Sequence, residues 1–337
     1  MSGFASVAAF EAALTVLRAP DARATAAARA RQAQLTKPPG SLGRLEDIAI
    51  FMAGWQGRER PRIDHGRVAI FAGNHGVTAR GVSAFPAAVT AEMVANFRRG
   101  GAAINALSAA AGLELVVVPL ALDRPTEDFT CAAAMTETEC LDAINAGAAV
   151  VERGIDLLVL GEMGIGNSTT AAALCARSFG GSAEAWVGPG TGVDAAGLAR
   201  KVAAVEAAIA FHADAAHTPF ETLRRVGGRE IAAIAGAVVA ARVAGVVVVL
   251  DGFICSAAIA PIAAQHPGIV DHILAGHCSA EPGHARLLAA LRLTPLLTLG
   301  LRLGEGSGAA LAAGVIRAAL AAHDQMATFG EAGVSTG

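Results

Sequence analysis

The stretch DLLVLGEMGIGNSTTAAALCARSF, residues 156–179, decides the fold of this chain. It opens with an apolar run typical of a buried strand, passes through the glycine-rich turn GEMGIGNST, and ends in an alanine-rich segment typical of a helix. A strand that leads through a short turn into a helix is characteristic of parallel sheets, in which helices cross over between neighbouring strands. The stretch therefore predicts an α/β fold.

The same alternation begins at Arg67 and continues to about residue 300. The strand candidates are RVAIFAG, LELVVVPL, DLLVLGEMG, AEAWVGPG, VVVVLDGF and, with the weakest pattern, TPLLTLGL. Helical segments lie between them, and strands that are apolar throughout are covered on both faces. We predict a parallel sheet of about six strands flanked by helices.

Both ends of the chain have helical patterns without strand signals. AAFEAALTVLR, DARATAAARARQAQL and LGRLEDIAIFMAGWQ lie within residues 1–60, and GAALAAGVIRAALAAHDQM lies in the last forty residues. This arrangement predicts a small helical domain built from residues 1–60 and 311–337. Residues 61–310 would form the large α/β domain.

Composition excludes several functional classes. Of the 337 residues, 54% are hydrophobic and 16% charged, and the net charge of −3 leaves no basic surface for nucleic acid. The five cysteines form no CxxC pair, which indicates reduced thiols that mostly fill the core. We expect a folded globular protein that does not bind nucleic acid.

A membrane span and a signal peptide are both disfavoured. Residues 231–250 contain a single charge, Arg242, but the texture changes at Gly245 from helix-like to a valine run. A buried helix followed by a buried strand fits better than a membrane span. The N-terminus lacks the basic start and long apolar core of a signal peptide, so we expect a cytoplasmic protein.

Several strand candidates end in glycine-rich turns that carry a polar residue. These turns lie at AGNHGV (Gly73), GEMGIGNST (Gly161), VGPGTGVD (Gly188), LDGFICS (Asp251) and LGEGSG (Gly304). Open parallel sheets bind ligands at the carboxyl ends of their strands. Five such turns therefore predict a substantial cleft.

Two of the turns are suited to an anion. GEMGIGNST places Asn167 and Ser168 at a helix start, where free N–H groups attract negative charge, although plain helix capping also explains these residues. In VGPGTGVD, Gly190 and Gly192 allow close backbone approach, and Lys201 follows on the next helix. No GxxxxGK[ST] or GxGxxG fingerprint occurs, so a mononucleotide phosphate fits better than a triphosphate or a dinucleotide.

Glu305 in LRLGEGSGAA is a lone carboxylate between two glycines, with apolar sequence on both sides. A carboxylate with few charged neighbours and little water holds its proton more tightly, which makes it a useful base. The alternative is an ordinary residue in the first turn of a helix.

A metal site is the competing interpretation of DHILAGHCSAEPGH, residues 271–284. This segment contains His272, His277 and His284, but their spacings match neither HExxH nor a CxxC pair, and histidine-rich turns are more commonly just polar surface. His75 is either a ligand contact or a loop histidine bonded to the neighbouring backbone. No GxSxG nucleophile motif occurs.

Eight motifs taken together resemble one known family, in identity, order and spacing. They are KPPGSLGRLE (37–46), AGNHGV (72–77), GVSAFP (81–86), GEMGIGNST (161–169), GPGTGVD (188–194), DGFICSAA (251–258), HCSAEPGH (277–284) and RLGEGSGAA (302–310). The sequence is similar to nicotinate-nucleotide–dimethylbenzimidazole phosphoribosyltransferases from about Lys37 to Ala310.

The resemblance implies transfer of ribose 5-phosphate from nicotinate mononucleotide to 5,6-dimethylbenzimidazole, with inversion at the anomeric carbon, in cobalamin synthesis. It also implies a homodimer whose subunit has a Rossmann-like parallel sheet and a small helical domain formed by both termini. No metal and no redox cofactor would be needed.

The resemblance also assigns roles to individual residues. Glu305 matches the catalytic base, and Glu162 matches a second active-site carboxylate. Residues matching contacts to phosphate, ribose or nicotinate are Gly164, Gly190, Gly192, Lys201, Asp251, Ser279 and Gly304. Residues matching the benzimidazole wall are Ser83, Phe85 and Leu303.

The segment after GVSAFP departs from the family. Many relatives have glutamine after this proline, where this chain has Ala87, and VTAQM where this chain has Glu92 in VTAEM.

Two other functions remain open: a nucleotide-binding regulator without catalysis, and a metal-dependent hydrolase built on His272, His277 and His284.

Overall fold

Parallel strands and helices alternate in the computed structural model, which describes residues 3–335. The described residues form one sheet of six parallel strands: β1 (Gly66–Ala72), β2 (Glu114–Pro119), β3 (Leu157–Met163), β4 (Val247–Leu250), β5 (Ile273–His277) and β6 (Pro295–Leu297). The α-helices of the same residues are α1 (Val7–Ala13), α2 (Ala22–Gln34), α3 (Arg44–Gln56), α4 (Ala88–Arg99), α5 (Ala103–Ala110), α6 (Glu137–Ala149), α7 (Asn167–Phe179), α8 (Ala195–Phe211), α9 (Pro219–Val226), α10 (Arg229–Ala244), α11 (Phe253–Ala257), α12 (Ala260–Gln265), α13 (Pro282–Leu291), α14 (Ser307–Gln325) and α15 (Phe329–Ala332). The predicted α/β class with a six-stranded parallel sheet is confirmed.

The strand order is β2-β1-β3-β4-β5-β6. β1 lies between β2 and β3, so that Val68 pairs with Leu115 on one side and with Val159 on the other. Because all six strands are parallel, their carboxyl ends meet at one edge of the sheet. Ligands bind along this edge in open α/β sheets.

Alternate residues of the central strands supply two hydrophobic cores. In β3, Leu158 and Leu160 belong to the core that includes α6, α7 and α10, whereas Leu157 and Val159 belong to the core that includes α3 and α14. All four leucine and valine side chains are fully buried. This double coverage explains why the strands are apolar at nearly every position.

One predicted strand was wrong, and one real strand was missed. AEAWVGPG instead forms a 3-10 turn at Ala183–Ala185, and the indole of Trp186 donates a hydrogen bond to the carbonyl oxygen of Gly180. The missed strand is β5, whose sequence ILAGH contains a glycine that weakens the strand signal. A Cβ on Gly276 would lie 2.7 Å from the Cα of Ala309, so this glycine lets α14 pack against the sheet.

The two ends of the chain meet beside the sheet. The guanidinium of Arg31 in α2 donates to the carbonyl oxygens of His323 and Asp324, and Leu35 forms an antiparallel bridge with Thr328. α3 packs between α2 and α14, but α14 also contacts β3, β4 and β5. The predicted boundary at residue 311 falls inside α14, which is one continuous helix, and the division into two domains stays a prediction.

The alanine-rich segment before β4 is a buried helix. α10 ends at Ala244, and Gly245 adopts a left-handed φ of 74° before the chain enters β4. Arg242 is buried, with its guanidinium 4.6 Å from the ring centre of Trp55. A buried helix followed by a buried strand was predicted and is confirmed, and within residues 3–335 no helix is both long and apolar enough to cross a membrane.

α6 and α10 pack closely because two glycines, Gly147 and Gly236, lie at their contact, which provides a test of the packing. A Cβ on Gly147 would collide with the carbonyl oxygen of Ala233, so we expect Gly147→Ala to lower the free energy of unfolding by about 1–3 kcal/mol or more. Gly314 lies on the exposed face of α14 with no atom within 4 Å of its Cβ position. Gly314→Ala should raise stability by about 0.5–1 kcal/mol. Urea unfolding measures both changes, and equal effects would contradict this account of the contact.

Candidate active site

A cleft lies over the carboxyl ends of the central strands. Its wall includes residues 162–165, 167 and 168 at the end of β3, residues 252–254 after β4, residues 277, 279 and 281 at and beyond the end of β5, and residues 302–305 after β6, together with Gly190 and Thr191. Its volume is about 670 Å³, including the open mouth. The predicted cleft is therefore present, although the turn at Gly188 follows a loop instead of a strand.

The turn that carries Glu305 has an unusual backbone. Gly304, Glu305 and Gly306 all have positive φ angles, of 82°, 62° and 77°. Such a value is common for glycine but costs energy for glutamate, and it is maintained only where the surroundings require it. The turn packs against Gly161 of β3, whose Cβ would lie 2.6 Å from the Gly306 nitrogen.

Asp251 holds this turn in place. It is buried at the end of β4, where its Oδ2 accepts from the Gly306 N–H at 3.1 Å and its Oδ1 accepts from the Ala309 N–H at 2.9 Å. Both bonds go to the first residues of α14, where N–H groups have no partner within the helix. The geometry thus gives Asp251 a role in positioning Glu305, and Asp251 itself is not part of the cleft wall described above.

Glu305 and Glu162 both line the cleft, and both hold their protons more tightly than usual. Burial and the nearby Asp251 raise the pKa of Glu305 to about 7. Burial is also the main cause that raises the pKa of Glu162 to about 8, with smaller contributions from Asp251 and Glu230. At neutral pH, Glu162 is therefore mostly protonated, and Glu305 is divided about equally between its protonated and ionised forms.

Glu162 is positioned by its immediate neighbours. Its Oε2 accepts a hydrogen bond from the side-chain amide of Asn167, at the start of α7. Its Oε1 lies against the backbone of Gly304, where a Cβ would be 2.6 Å away. The two carboxylates are thus brought together by the close approach of the two turns.

His75 is a buried loop histidine that is bonded to its neighbours. Its Nε2 lies 2.5 Å from Oε1 of Glu230, and its Nδ1 lies 2.9 Å from the hydroxyl of Thr170. Both partners are side chains that are distant in the sequence, so the expected bonds to the neighbouring backbone are not the ones that hold this histidine. The pair lies behind the cleft wall, since a Cβ on Gly164 would come within 2.9 Å of Glu230.

Lys201 lies on α8 and reaches back to the glycine loop. Its ammonium group donates to the Gly188 carbonyl at 2.6 Å and to the Ser168 hydroxyl at 3.0 Å, and burial lowers its pKa to about 8. The Gly190 N–H is directed at the carboxylate of Glu281. The ammonium group of Lys201, the hydroxyl of Ser168 and the glycine loop that begins at Gly188 therefore meet at one end of the cleft.

The structure brings most of the predicted site residues to the cleft. Those that line it are Glu162, Gly164, Gly190, Ser279, Leu303, Gly304 and Glu305. Ser83 and Lys201 line a small adjoining cavity that shares Gly164 with the cleft, although the resemblance assigns them to different substrates. Gly192, Phe85 and Asp251 line neither, and the Phe85 side chain is 49% exposed. Glu92, one of the departures from the family, lies on an exposed face of α4.

The cleft wall also contains polar residues that were missing from the predicted site, among them Asn167, His277 and Glu281. Asn167 was interpreted as a possible helix cap, whereas its amide binds Glu162. His277 was considered only as a possible metal ligand, and Glu281 lies in the same segment. Because His277 ends the strand ILAGH and Glu281 follows it, recognition of that strand would have indicated the cleft.

The three histidines of the hydrolase alternative do not form one site. Both ring nitrogens of His272 lie within hydrogen-bond distance of backbone carbonyl oxygens, those of Ile269 and Val238, and burial lowers its pKa to about 3. His284 is bonded to Ser279 and Ser256. Within residues 3–335, no three histidine, cysteine, aspartate or glutamate side chains are grouped as a metal would require.

Comparisons with known proteins agree with this geometry. A family model described as phosphoribosyltransferase, DBI_PRT, matches residues 17–334. The nicotinate-nucleotide–dimethylbenzimidazole phosphoribosyltransferase of Novosphingobium aromaticivorans is 72% identical over the whole of both chains. The enzyme of the same name from Ruegeria pomeroyi is 59% identical over 94% of each chain.

A solved structure extends the similarity to three dimensions. The crystal structure of the nicotinate-nucleotide–dimethylbenzimidazole phosphoribosyltransferase from Thermus thermophilus superposes with a TM-score of 0.87 at 43% identity. It covers 94% of this chain, and this chain covers all of it. The sheet and its flanking helices are therefore shared with that enzyme.

The raised pKa of Glu162 predicts how stability depends on pH. A carboxyl group that holds its proton more tightly when folded stabilises the fold fully below its ordinary pKa of 4.5, and this stabilisation is lost as pH rises through about 8. We expect the free energy of unfolding to fall between pH 5 and 8.5, and to fall less in Glu162→Gln. Urea unfolding at several pH values measures this, with Glu206→Gln on the exposed face of α8 as the control. Parallel pH profiles for the wild type and Glu162→Gln would contradict it.

Proposed function

This chain belongs to the nicotinate-nucleotide–dimethylbenzimidazole phosphoribosyltransferase family, and we propose that it transfers the ribose 5-phosphate unit of nicotinate mononucleotide to 5,6-dimethylbenzimidazole. The products would be nicotinate and α-ribazole 5′-phosphate, formed by a single displacement with inversion. The observation that carries the mechanism is the Glu305 carboxyl, which lines the cleft with a pKa near neutrality.

The chemistry requires one base and no acid. The leaving nitrogen of nicotinate mononucleotide is already a pyridinium cation, so nicotinate departs without being protonated. The attacking benzimidazole, in contrast, becomes cationic unless its second nitrogen loses a proton. A general base is most effective when its pKa lies near the working pH, which favours Glu305 for this step.

The nucleotide phosphate would bind at the end of the cleft that contains Lys201. This ammonium group lies close to Ser168, next to the first turn of α7, and the N-terminus of a helix favours anions. Burial has lowered the pKa of Lys201, so a phosphate dianion would favour the charged form. Gly164, Gly190 and Gly192 would let the backbone approach the nucleotide.

The acceptor would bind near the mouth of the cleft. Leu303 lines the cleft directly before the Glu305 turn, and its side chain is 55% exposed, as expected for an apolar wall that a flat ring could cover. We include Phe85 and Ser83 in this wall on the basis of the family resemblance. The homodimer and the cytoplasmic location also stay predictions.

One assay separates this function from its alternatives. The transferase releases nicotinate from nicotinate mononucleotide only when dimethylbenzimidazole is present, and forms the ribazole phosphate in equal amount. A regulator would bind the nucleotide without releasing nicotinate. A hydrolase would release nicotinate without the acceptor, and a metal-dependent one would lose activity with a chelator.

Glu305→Gln tests the base. The substitution keeps the size of the side chain but removes its ability to take a proton, so we expect turnover to fall by about a hundredfold or more while nucleotide affinity changes little. The wild-type kcat/KM for nicotinate mononucleotide should rise with pH through about 7, as Glu305 ionises in the free enzyme. Steady-state kinetics with calorimetric binding measure both quantities. Unchanged turnover would remove Glu305 from the mechanism.

Lys201→Ala tests the phosphate site. Loss of the ammonium group should raise the KM for nicotinate mononucleotide by about tenfold or more, because hydrogen bonds to charged groups contribute about 1.5–3 kcal/mol. The KM for dimethylbenzimidazole should change little. Arg153→Ala, an exposed cation before β3, is the control for a general loss of positive charge. A defect confined to turnover would argue against a phosphate contact.

A further inference from the structure

Glu281 is a buried carboxylate of the cleft wall to which the mechanism gives no role. It is the N-cap residue of α13, but its side chain makes no capping bond, and only 8% of its surface is exposed. Its Oε2 has no hydrogen-bond partner among the described residues. A buried carboxylate oxygen left unpaired is costly, so its presence in a binding cleft calls for a ligand that pairs with it.

Room for this carboxylate is provided by the glycine loop. A Cβ on Gly188 would collide with Oε2 of Glu281, so any larger residue there would displace the carboxylate. The Gly190 N–H is directed at the same side chain. Lys201 donates to the carbonyl of Gly188, so Glu281 packs against the loop that also borders the proposed phosphate site.

The chemistry of the substrates restricts what Glu281 can bind. Burial raises the pKa of Glu281, whereas the neighbouring ammonium group of Lys201 favours its ionised form, and an ionised carboxylate can only accept hydrogen bonds. The phosphate and the nicotinate carboxylate are acceptors too and would be repelled. The available donors are the two ribose hydroxyls of the nucleotide and the N–H of dimethylbenzimidazole, and the latter is the proton that Glu305 removes.

We propose that Glu281 binds the 2′- and 3′-hydroxyls of the ribose and so determines specificity for ribonucleotides. The position agrees, because the ribose lies between the phosphate, near Lys201, and the reacting carbon, near Glu305. A carboxylate can accept several hydrogen bonds, so Glu281, whose Oε2 has no partner among the described residues, has capacity for two hydroxyls. This assignment rests on the proposed function, and Glu281 would be a substrate-binding residue for that reaction.

The test is a comparison of substrates. Nicotinate release in the presence of dimethylbenzimidazole is measured with nicotinate mononucleotide and with its 2′-deoxy and 3′-deoxy analogues, for the wild type, Glu281→Ala and Glu281→Gln. We expect the wild type to lose about tenfold to a hundredfold in kcat/KM on at least one deoxy analogue. Glu281→Ala should lose a similar factor on the ribonucleotide but almost nothing further on that analogue.

The possible outcomes are distinct. If Glu281→Ala discriminates between the ribonucleotide and the deoxy analogues as strongly as the wild type, the proposal is overturned. Glu206→Ala, a glutamate on the exposed face of α8, should keep wild-type discrimination. Glu281→Gln keeps the side-chain volume and provides the same comparison if the alanine variant does not fold. Failure of the wild type to release nicotinate from the natural substrate would instead refute the proposed function.

Discussion

The cleft depends on the two hydrogen bonds that Asp251 accepts from the start of α14. They fix the N-terminus of that helix above β4 and hold Glu305 at a positive φ angle. An isolated glutamate would relax from this conformation, at a gain of about 1–3 kcal/mol. Burial is the main cause that raises the pKa of Glu305, and the charge of the same Asp251 carboxylate adds to it, so one side chain influences both where the proposed base lies and how tightly it holds a proton.

The glycines of these turns, which have no side chain, matter as much as the charged residues. Gly161 lets the turn at residues 304–306 touch β3, and Gly304 makes room for Oε1 of Glu162. Without these glycines the two carboxylates could not come together, because each Cβ would lie 2.6 Å from its nearest neighbour. The glycine-rich turns thus bring the carboxyl groups of Glu162 and Glu305 into a space from which water is largely excluded. This burial is the main cause that raises their pKa values.

The sequence alone was sufficient to predict elements whose pattern lies within a few consecutive residues. Apolar runs predicted five of the six strands of the described sheet, and the glycines around Glu305 predicted the turn. Strand β5 was missed because Gly276 serves a contact with α14 that is distant in sequence. The pairs formed by His75 with Glu230 and by Asp251 with Ala309 were not predicted, since their members are 155 and 58 residues apart and only the fold brings them together.

The cleft and the proposed substrate complement each other electrostatically. In the free protein, burial disfavours both charges: it lowers the pKa of Lys201 to about 8, and it is the main cause that raises the pKa of Glu305 to about 7. Nicotinate mononucleotide brings a phosphate dianion and a pyridinium cation, and each would favour the charged form of its neighbour. Glu305 would therefore be ionised when the substrate binds. As nicotinate leaves in the single displacement, the positive charge passes to the attacking benzimidazole, and the Glu305 carboxylate takes the proton of its second nitrogen, which leaves a neutral product ring.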